Sequence, residues 1–499
     1  MITTNQNKVA GTGSRKRSKF RGHASKAPLE VRLRRRRPLH LILWFLLAIG
    51  TLLASVYLGP PSRSVMAWIA LVIYVLGIFS LARCTWTGFW SPVTLFLVVV
   101  GVFHYGLIVN ILSGIDPDFP RAADYIWYNG PVGVYATHLT TLGVVAYVFV
   151  SLLVLGMVGQ KKRPIYADER LSGADDELAY RLSRAGSWLL LISTALWFIS
   201  AISSVGLAGL FGSYQDFLAA TRPTNLNLTY MGIGVGLGLT VMTRAKNLAV
   251  PALVLFALFA VIGFFLGLRG EVLFPMAVAA SVLAQRRSMP NVPVVLFGLV
   301  ALLALIATAK QIRATGLSAS GLNTVDGSPV AALTELGSTL RVVATVVQWH
   351  EAGDPFRLGD TYTVSIARAA EQVTLGAQRL PVYEDMRLFN VEILNRAGGI
   401  GGSVIGEAYH NLAEVGVVVI MAIIAIIMVA FSRGYGTASR MAIYIVVAVP
   451  LFNHIRNSFV PVVPAIVFGL IFVLVVIHVA RKRIADSQQR ETKAEGVAR

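Results

Sequence analysis

Apolar residues in this chain come in long runs broken by short polar stretches, rather than in alternation or as a narrow amphipathic stripe. A helix needs roughly 20 mainly apolar residues to cross the hydrocarbon core. In lipid its backbone groups must also bond within the segment, so each run predicts a membrane-spanning helix. Twelve runs meet this description, at about 39–58, 65–82, 92–112, 132–158, 187–206, 226–243, 248–267, 271–285, 291–309, 412–431, 441–455 and 462–480. The expected fold class is therefore an all-α polytopic integral membrane protein with about 12 transmembrane helices and one large extracytoplasmic loop that itself contains helices.

Composition agrees with this pattern. Of the 499 residues, 55% are hydrophobic and 14% charged, against roughly 25% charged in soluble domains, which excludes a soluble globular protein. The net charge of +19 would point to nucleic acid in a soluble chain; here its distribution points to topology. Residues 1–38 carry twelve Lys and Arg, ending in the run Arg34 to Arg37, against the single acid Glu30. The positive-inside rule places this tail in the cytoplasm, where anionic lipid is the expected partner and nucleic acid is not. Twelve crossings return the C-terminus to the same side, and the inner segments then hold 31 of the 44 basic residues and the outer ones 16 of the 25 acids. One missed or added helix would invert that asymmetry.

The organisation that follows is a basic cytoplasmic tail at 1–38, transmembrane helices 1–9 over 39–309, a large extracytoplasmic loop at 310–411, helices 10–12 over 412–480 and a second basic cytoplasmic tail at 481–499. The first apolar run is too long for a signal peptide and has no clear small-residue cleavage site. Cys84 is the only cysteine, so no intramolecular disulfide braces the outer loops and their order must come from packing.

Most connections are shorter than about 25 residues, whereas the segment from Lys310 to about Asn411 is about 100 residues long; loops of that length are usually functional. Ser328 to Trp349 has helical spacing, Thr361 to Gln378 predicts an amphipathic helix near the interface, and Gly398, Gly399, Gly401 and Gly402 predict a flexible hinge before the next span. Asp116-Pro-Asp118 has the form of a metal-binding acid pair used with nucleotide sugars, but its outer placement argues against that role. The eight histidines show no zinc-site spacing, and His104 and His138 read as hydrogen-bonded core residues.

Three clusters of ionisable residues fall at the outer face. Arg269-Gly270-Glu271 lies between two apolar runs, where charge is costly and functional by default; either the two residues pair with each other as an interfacial anchor, or the guanidinium grips an anion through its planar donor fork. Glu407-Ala408-Tyr409-His410-Asn411 opens the tenth span, and His454-Ile455-Arg456-Asn457-Ser458 ends the eleventh. Each reads either as interfacial anchoring or, if the three converge, as part of an anion pocket with a candidate base.

Taken in order, Arg269-Gly-Glu271, Glu335-Leu-Gly-Ser-Thr-Leu-Arg341, Phe356-Arg357-Leu-Gly359-Asp-Thr-Tyr362, Ser403-Val-Ile-Gly-Glu407-Ala-Tyr409-His-Asn411 and Arg456-Asn-Ser458 resemble the motifs of the O-antigen polysaccharide polymerase (Wzy) family. The similarity runs over roughly residues 40–480 and includes the large outer loop, while the basic N-terminal tail is longer than the family pattern requires. The resemblance implies a glycosyltransferase of the bacterial plasma membrane, acting without metal or other cofactor on its outer face. A glycan on undecaprenyl diphosphate is passed to the end of another lipid-linked oligosaccharide, with the lipid diphosphate as leaving group. A chain-length regulator is a further partner that the resemblance allows.

That chemistry needs cations to stabilise charge growing on the diphosphate and a base to take the acceptor proton. The resemblance then assigns Arg269 and Arg456 to the diphosphate, with Arg341 or Arg357 as a further contact. Glu407 is the first choice of base and His410 the second, Tyr409 and Asn411 orient the sugar or the base, Glu271 fixes Arg269, and Glu335 packs the loop against the spans. A related O-antigen ligase would share this logic. A lipid-phosphate-sugar transferase is disfavoured because its acidic first outer loop is replaced by Gly59-Pro-Pro-Ser-Arg-Ser64. A transporter or flippase is expected to carry ionisable groups near mid-membrane, and these spans are nearly charge-free there.

Overall fold

In the computed structural model the described residues are 40–51, 61–115, 117, 119, 122–158, 173–210, 217, 220–221, 226–243, 247–286, 289, 294, 298, 329–373, 381, 384–432 and 437–497. The N-terminal tail, Asp116, Asp118 and all but two residues of the expected ninth span lie outside them. Among the described residues the regular structure is helical throughout, with no strand.

The helices are α1 (His40–Thr51), α2 (Arg63–Cys84), α3 (Pro92–Ser113), α4 (Ala122–Asn129), α5 (Pro131–Val158), α6 (Gly173–Gly209), α7 (Leu226–Thr240), α8 (Ala249–Leu266) and α9 (Arg269–Arg286). They continue with α10 (Pro329–Leu336), α11 (Thr339–Glu351), α12 (Asp360–Val373), α13 (Phe389–Ala397), α14 (Val404–Ser432), α15 (Ala438–His454) and α16 (Val462–Val497). Seven of these, α2, α3, α5, α6, α8, α14 and α16, are long and apolar enough to cross a membrane. Helices α1, α7 and α15 are apolar but shorter.

Local chemistry sets the ends that matter for the site. Ser91 caps α3 by accepting a hydrogen bond from the Thr94 amide at 3.2 Å, with Pro92 at the first helical position. Gly267, at φ +86°, closes α8, and the Leu268 amide reaches back to the Gly263 carbonyl at 2.8 Å. This tight turn leaves Arg269 and Glu271 on the first turn of α9.

The long loop is more deeply built into the molecule than its polarity predicted. Helices α10 and α11 meet at a 42° bend, and the pair packs against α3, α5 and α14. Val342, Val343, Ala344, Val346 and Val347 are fully buried. The bend is seated by two glycines that bring backbones together: a Cβ on Gly106 would fall 2.0 Å from the Leu333 carbonyl oxygen, and one on Gly337 would fall 2.4 Å from the Leu107 amide. The glycines before α14 also differ from the expected hinge. Gly402 donates to the Arg456 carbonyl at 2.8 Å, and a Cβ there would sit 2.6 Å from the Asn457 carbonyl carbon, so close approach requires glycine.

Two further boundaries moved. The expected C-terminal tail continues α16 as a helix beyond residue 480, because Arg481-Lys482-Arg483-Ile484-Ala485 and the Gln and Glu that follow favour helix. Helix α14 is interrupted at Leu412 and at Ala413, whose φ of +52° is unusual for a residue with a Cβ. The carbonyls of His410 and Asn411 are taken by the Arg357 and Leu358 amides, at 3.0 and 2.9 Å. The loop before α12 thereby caps the first half of α14.

Candidate functional site

Ser403 begins α14. Its hydroxyl accepts from the Gly406 amide at 3.1 Å and meets His104 Nε2 at 2.9 Å, while His104 Nδ1 meets the Val100 carbonyl at 3.0 Å. His104 is thus a hydrogen-bonded core histidine, as its place within a span predicts. One turn on, Glu407 is fully buried near the helix N-terminus, where the helix dipole favours negative charge.

The Glu407 carboxylate accepts from the Thr361 hydroxyl at 2.9 Å and the Phe459 amide at 2.8 Å, and it meets His454 Nε2 at 3.1 Å. Asn411, four residues on and on the same helical face, donates to Thr361 Oγ1 at 2.8 Å and to the Glu407 carbonyl at 2.7 Å. Segments from α12, α14 and α15 therefore meet at one carboxylate. Three buried polar atoms in this group, His454 Nδ1, Asn411 Oδ1 and Tyr362 Oη, have no hydrogen-bond partner among the described residues. Burial and then the nearby Glu407 charge push the Tyr362 phenol well above its ordinary pKa, so it remains a hydrogen donor.

His410 belongs to a second network. Its Nε2 meets Glu392 Oε2 at 3.0 Å and its Nδ1 meets His350 Nε2 at 3.0 Å, so both ring nitrogens are engaged. Arg357 reaches the same Glu392 oxygen at 2.9 Å, and Arg396 reaches the other at 3.0 Å while stacking over the Trp349 ring at 3.9 Å. Burial pushes the Glu392 carboxyl up, but the hydrogen bonds and charges of His410 and Arg357 outweigh it and hold the group down at about 2. Nearby, Asp385 pairs with Arg387 and Arg368, both at 2.8 Å. The Arg387 hydrogen bond is the main reason its carboxyl lies below the ordinary range.

The remaining arginines are sorted by their partners. Arg269 is buried and pairs with Glu335 at 2.6 Å, tying α10 to the start of α9. Residues two apart on a helix face different ways, and Glu271 feels the charge of Arg456. Arg341 pairs with the buried Asp124 at 2.9 Å. Arg456 is half-buried, 5.8 Å from the Phe103 ring centroid, and no carboxylate among the described residues stands within ion-pair distance of it. Tyr409 packs on the other side of α14, against Tyr135, His350 and Phe356.

Of the clusters drawn from sequence, two thus meet where Glu407 contacts His454, and Glu271 lies close enough to Arg456 to feel its charge. Sequence reading quoted Thr361 and Tyr362 within a motif without giving them a role, and missed His350, Asp124 and Glu392. Glu392 and Arg396 do stand four apart on an amphipathic turn, the usual signature of a helix-surface pair, which gave no sign that Glu392 also reaches the buried His410.

A family model described as O-antigen polysaccharide polymerase Wzy matches residues 40–487. The chain is also 26% identical over 273 residues to Protein CapE of Staphylococcus aureus, a match covering 54% of this chain and 60% of that protein. It thus spans less than two thirds of that relative's length. No solved structure matches.

Proposed function

This chain belongs to the O-antigen polysaccharide polymerase Wzy family, and we propose that it joins undecaprenyl-diphosphate-linked oligosaccharide repeat units on the outer face of a bacterial plasma membrane. In this reading the expected twelve crossings leave both termini cytoplasmic and the 310–411 segment on that face, with the basic tails against anionic lipid.

The observation that carries the mechanism is the set of buried atoms around Glu407 that have no hydrogen-bond partner among the described residues. Buried polar groups are nearly always paired. An imidazole nitrogen, an amide oxygen and a phenol together match the hydroxyls of a sugar, which both donate and accept. In this reading Glu407 holds the His454 ring through Nε2 and His454 Nδ1 removes the proton from the acceptor hydroxyl. The hydroxyl oxygen bonds to the anomeric carbon of the donor, the anomeric C–O bond breaks, and its electron pair leaves with the lipid diphosphate. His410, with both nitrogens occupied, is the weaker base.

Arg456 is the first diphosphate contact, because binding an anion there breaks no ion pair among the described residues. Arg269 is the second and must exchange Glu335 for phosphate. Arg341 and Arg357 neutralise the buried Asp124 and Glu392 and act by holding the loop. Removing one electrostatic contact from a dry site costs roughly 3 kcal/mol in the barrier, near a hundredfold in rate.

The test is a gel assay with the purified protein in nanodiscs and its host's undecaprenyl-diphosphate repeat unit. A ladder that forms without added nucleotide and is lost in Arg456→Ala and Glu407→Gln supports the reading. Substrate that stays monomeric yet crosses a proteoliposome bilayer overturns it in favour of a transporter.

A further inference from the structure

Tyr409 lies two residues beyond Glu407, so it projects from a different face of α14, and its surroundings differ in kind. Its ring packs edge-on against those of His350 and Phe356, both at 5.6 Å, and of Tyr135 at 6.1 Å. His350 and Phe356 stack at 4.0 Å with their planes 18° apart, and Phe356 is 37% exposed. The stack is held in place: His350 Nδ1 meets the Asp354 carbonyl at 2.9 Å and Nε2 meets His410 at 3.0 Å. Two carboxylates flank it. Glu414 accepts a hydrogen bond from the Tyr135 phenol, Glu351 is exposed, and both act electrostatically on Tyr409.

We propose that this platform binds a neutral or N-acylated pyranose of the glycan, at a position away from the reacting bond; the proposal rests on the glycan-transfer reading above. The C–H groups on one face of a pyranose are polarised positive by the adjoining oxygens and suit the negative face of an aromatic ring. The sugar hydroxyls donate to the carboxylate oxygens, which accept. The same carboxylates repel phosphates and uronic acids, so the platform selects the uncharged part of the substrate, while Arg456 and Arg269 lie against other helices and take the charged part. Because the ring stack is fixed beforehand, little side-chain entropy is lost on binding.

Saturation-transfer NMR on the full-length protein in nanodiscs tests this with two probes, methyl N-acetylglucosaminide and methyl glucuronide, while phosphorus line broadening of inorganic pyrophosphate reports the arginine site separately. The expected result is saturation of the neutral glycoside's ring protons, about fivefold weaker in Phe356→Ala and weaker in Glu414→Gln, with no saturation of the glucuronide and unchanged pyrophosphate broadening. Intact broadening in both variants shows that they fold. Equal saturation of the two glycosides, or a neutral-glycoside signal unaffected by both substitutions, overturns the proposal. Loss of the ladder and of pyrophosphate broadening in wild-type protein, with glycoside saturation intact, instead overturns the transfer reading and leaves the sugar site standing.

Discussion

The protein buries two carboxylate–imidazole pairs in the same region, and they are built differently. Glu407 pairs with His454 and is otherwise held by a hydroxyl and a backbone amide, and the second nitrogen of His454 has no hydrogen-bond partner among the described residues. Glu392 pairs with His410 and is also held by two guanidinium groups, and the second nitrogen of His410 is taken by His350. The first pair has a free site for a proton and few charges to disturb. The second is a closed ion cluster, in which cations neutralise a buried carboxylate that would otherwise be very costly. The difference separates a pair suited to chemistry from one suited to holding the loop, though one member of each, Glu407 and His410, stands within four residues on α14.

The largest expected effect is on the first pair. Glu407→Gln and His454→Ala should each lower polymer formation by roughly 10²–10⁴-fold in a ladder assay while the protein remains folded and monodisperse. Normal ladders from both would remove the distinction. Glu392→Ala should act on stability instead: leaving Arg357, Arg396 and His410 without their common anion costs roughly 3–5 kcal/mol, read as a lower thermal midpoint in detergent. Unchanged stability with lost activity would exchange the roles assigned to the two pairs.

A pH series sharpens the contrast. The Glu392 carboxyl is held at about 2, below its ordinary 4.5. The stability it contributes is therefore complete above about pH 4.5 and is lost as the pH falls toward 2. The amount is on the order of 3 kcal/mol, so wild type and Glu392→Gln should differ at pH 6 and converge near pH 2. A constant difference across that range would mean that the carboxylate charge does not hold the cluster. The smallest effect is expected for Thr361→Val, which removes one donor to Glu407 and one acceptor for Asn411. It should cost about 1–3 kcal/mol of stability and also shift the pH profile of polymerisation, which a purely structural hydroxyl would leave unmoved.

Hydropathy made the helices legible, because every backbone group in lipid must bond within its own segment. The polar clusters were legible as such, since Arg269, Glu407 and Arg456 are ionisable residues at the ends of long apolar runs. Partner choice was not legible. Arg269 has Glu271 beside it in sequence, yet helix geometry turns the two apart and Glu335, brought by α10, meets the guanidinium. The depth of α10 and α11 was hidden for a related reason. Their apolar residues flank a polar Gly-Ser-Thr step, and only the close contact between Gly106 and Gly337 shows that this step is a bend inside the bundle.

The bond between His104 and Ser403 spans 299 residues of chain. At a synthesis rate of about 5–20 residues per second, roughly 15–60 s separate the two leaving the ribosome. Through that interval the imidazole has only the Val100 carbonyl of its own helix, and the Glu407 site does not exist until α15 has followed. Assembly of the site is therefore among the last events in the protein's biogenesis, so a chain truncated within α15 would have most of its apolar helices and none of the Glu407–His454 pair.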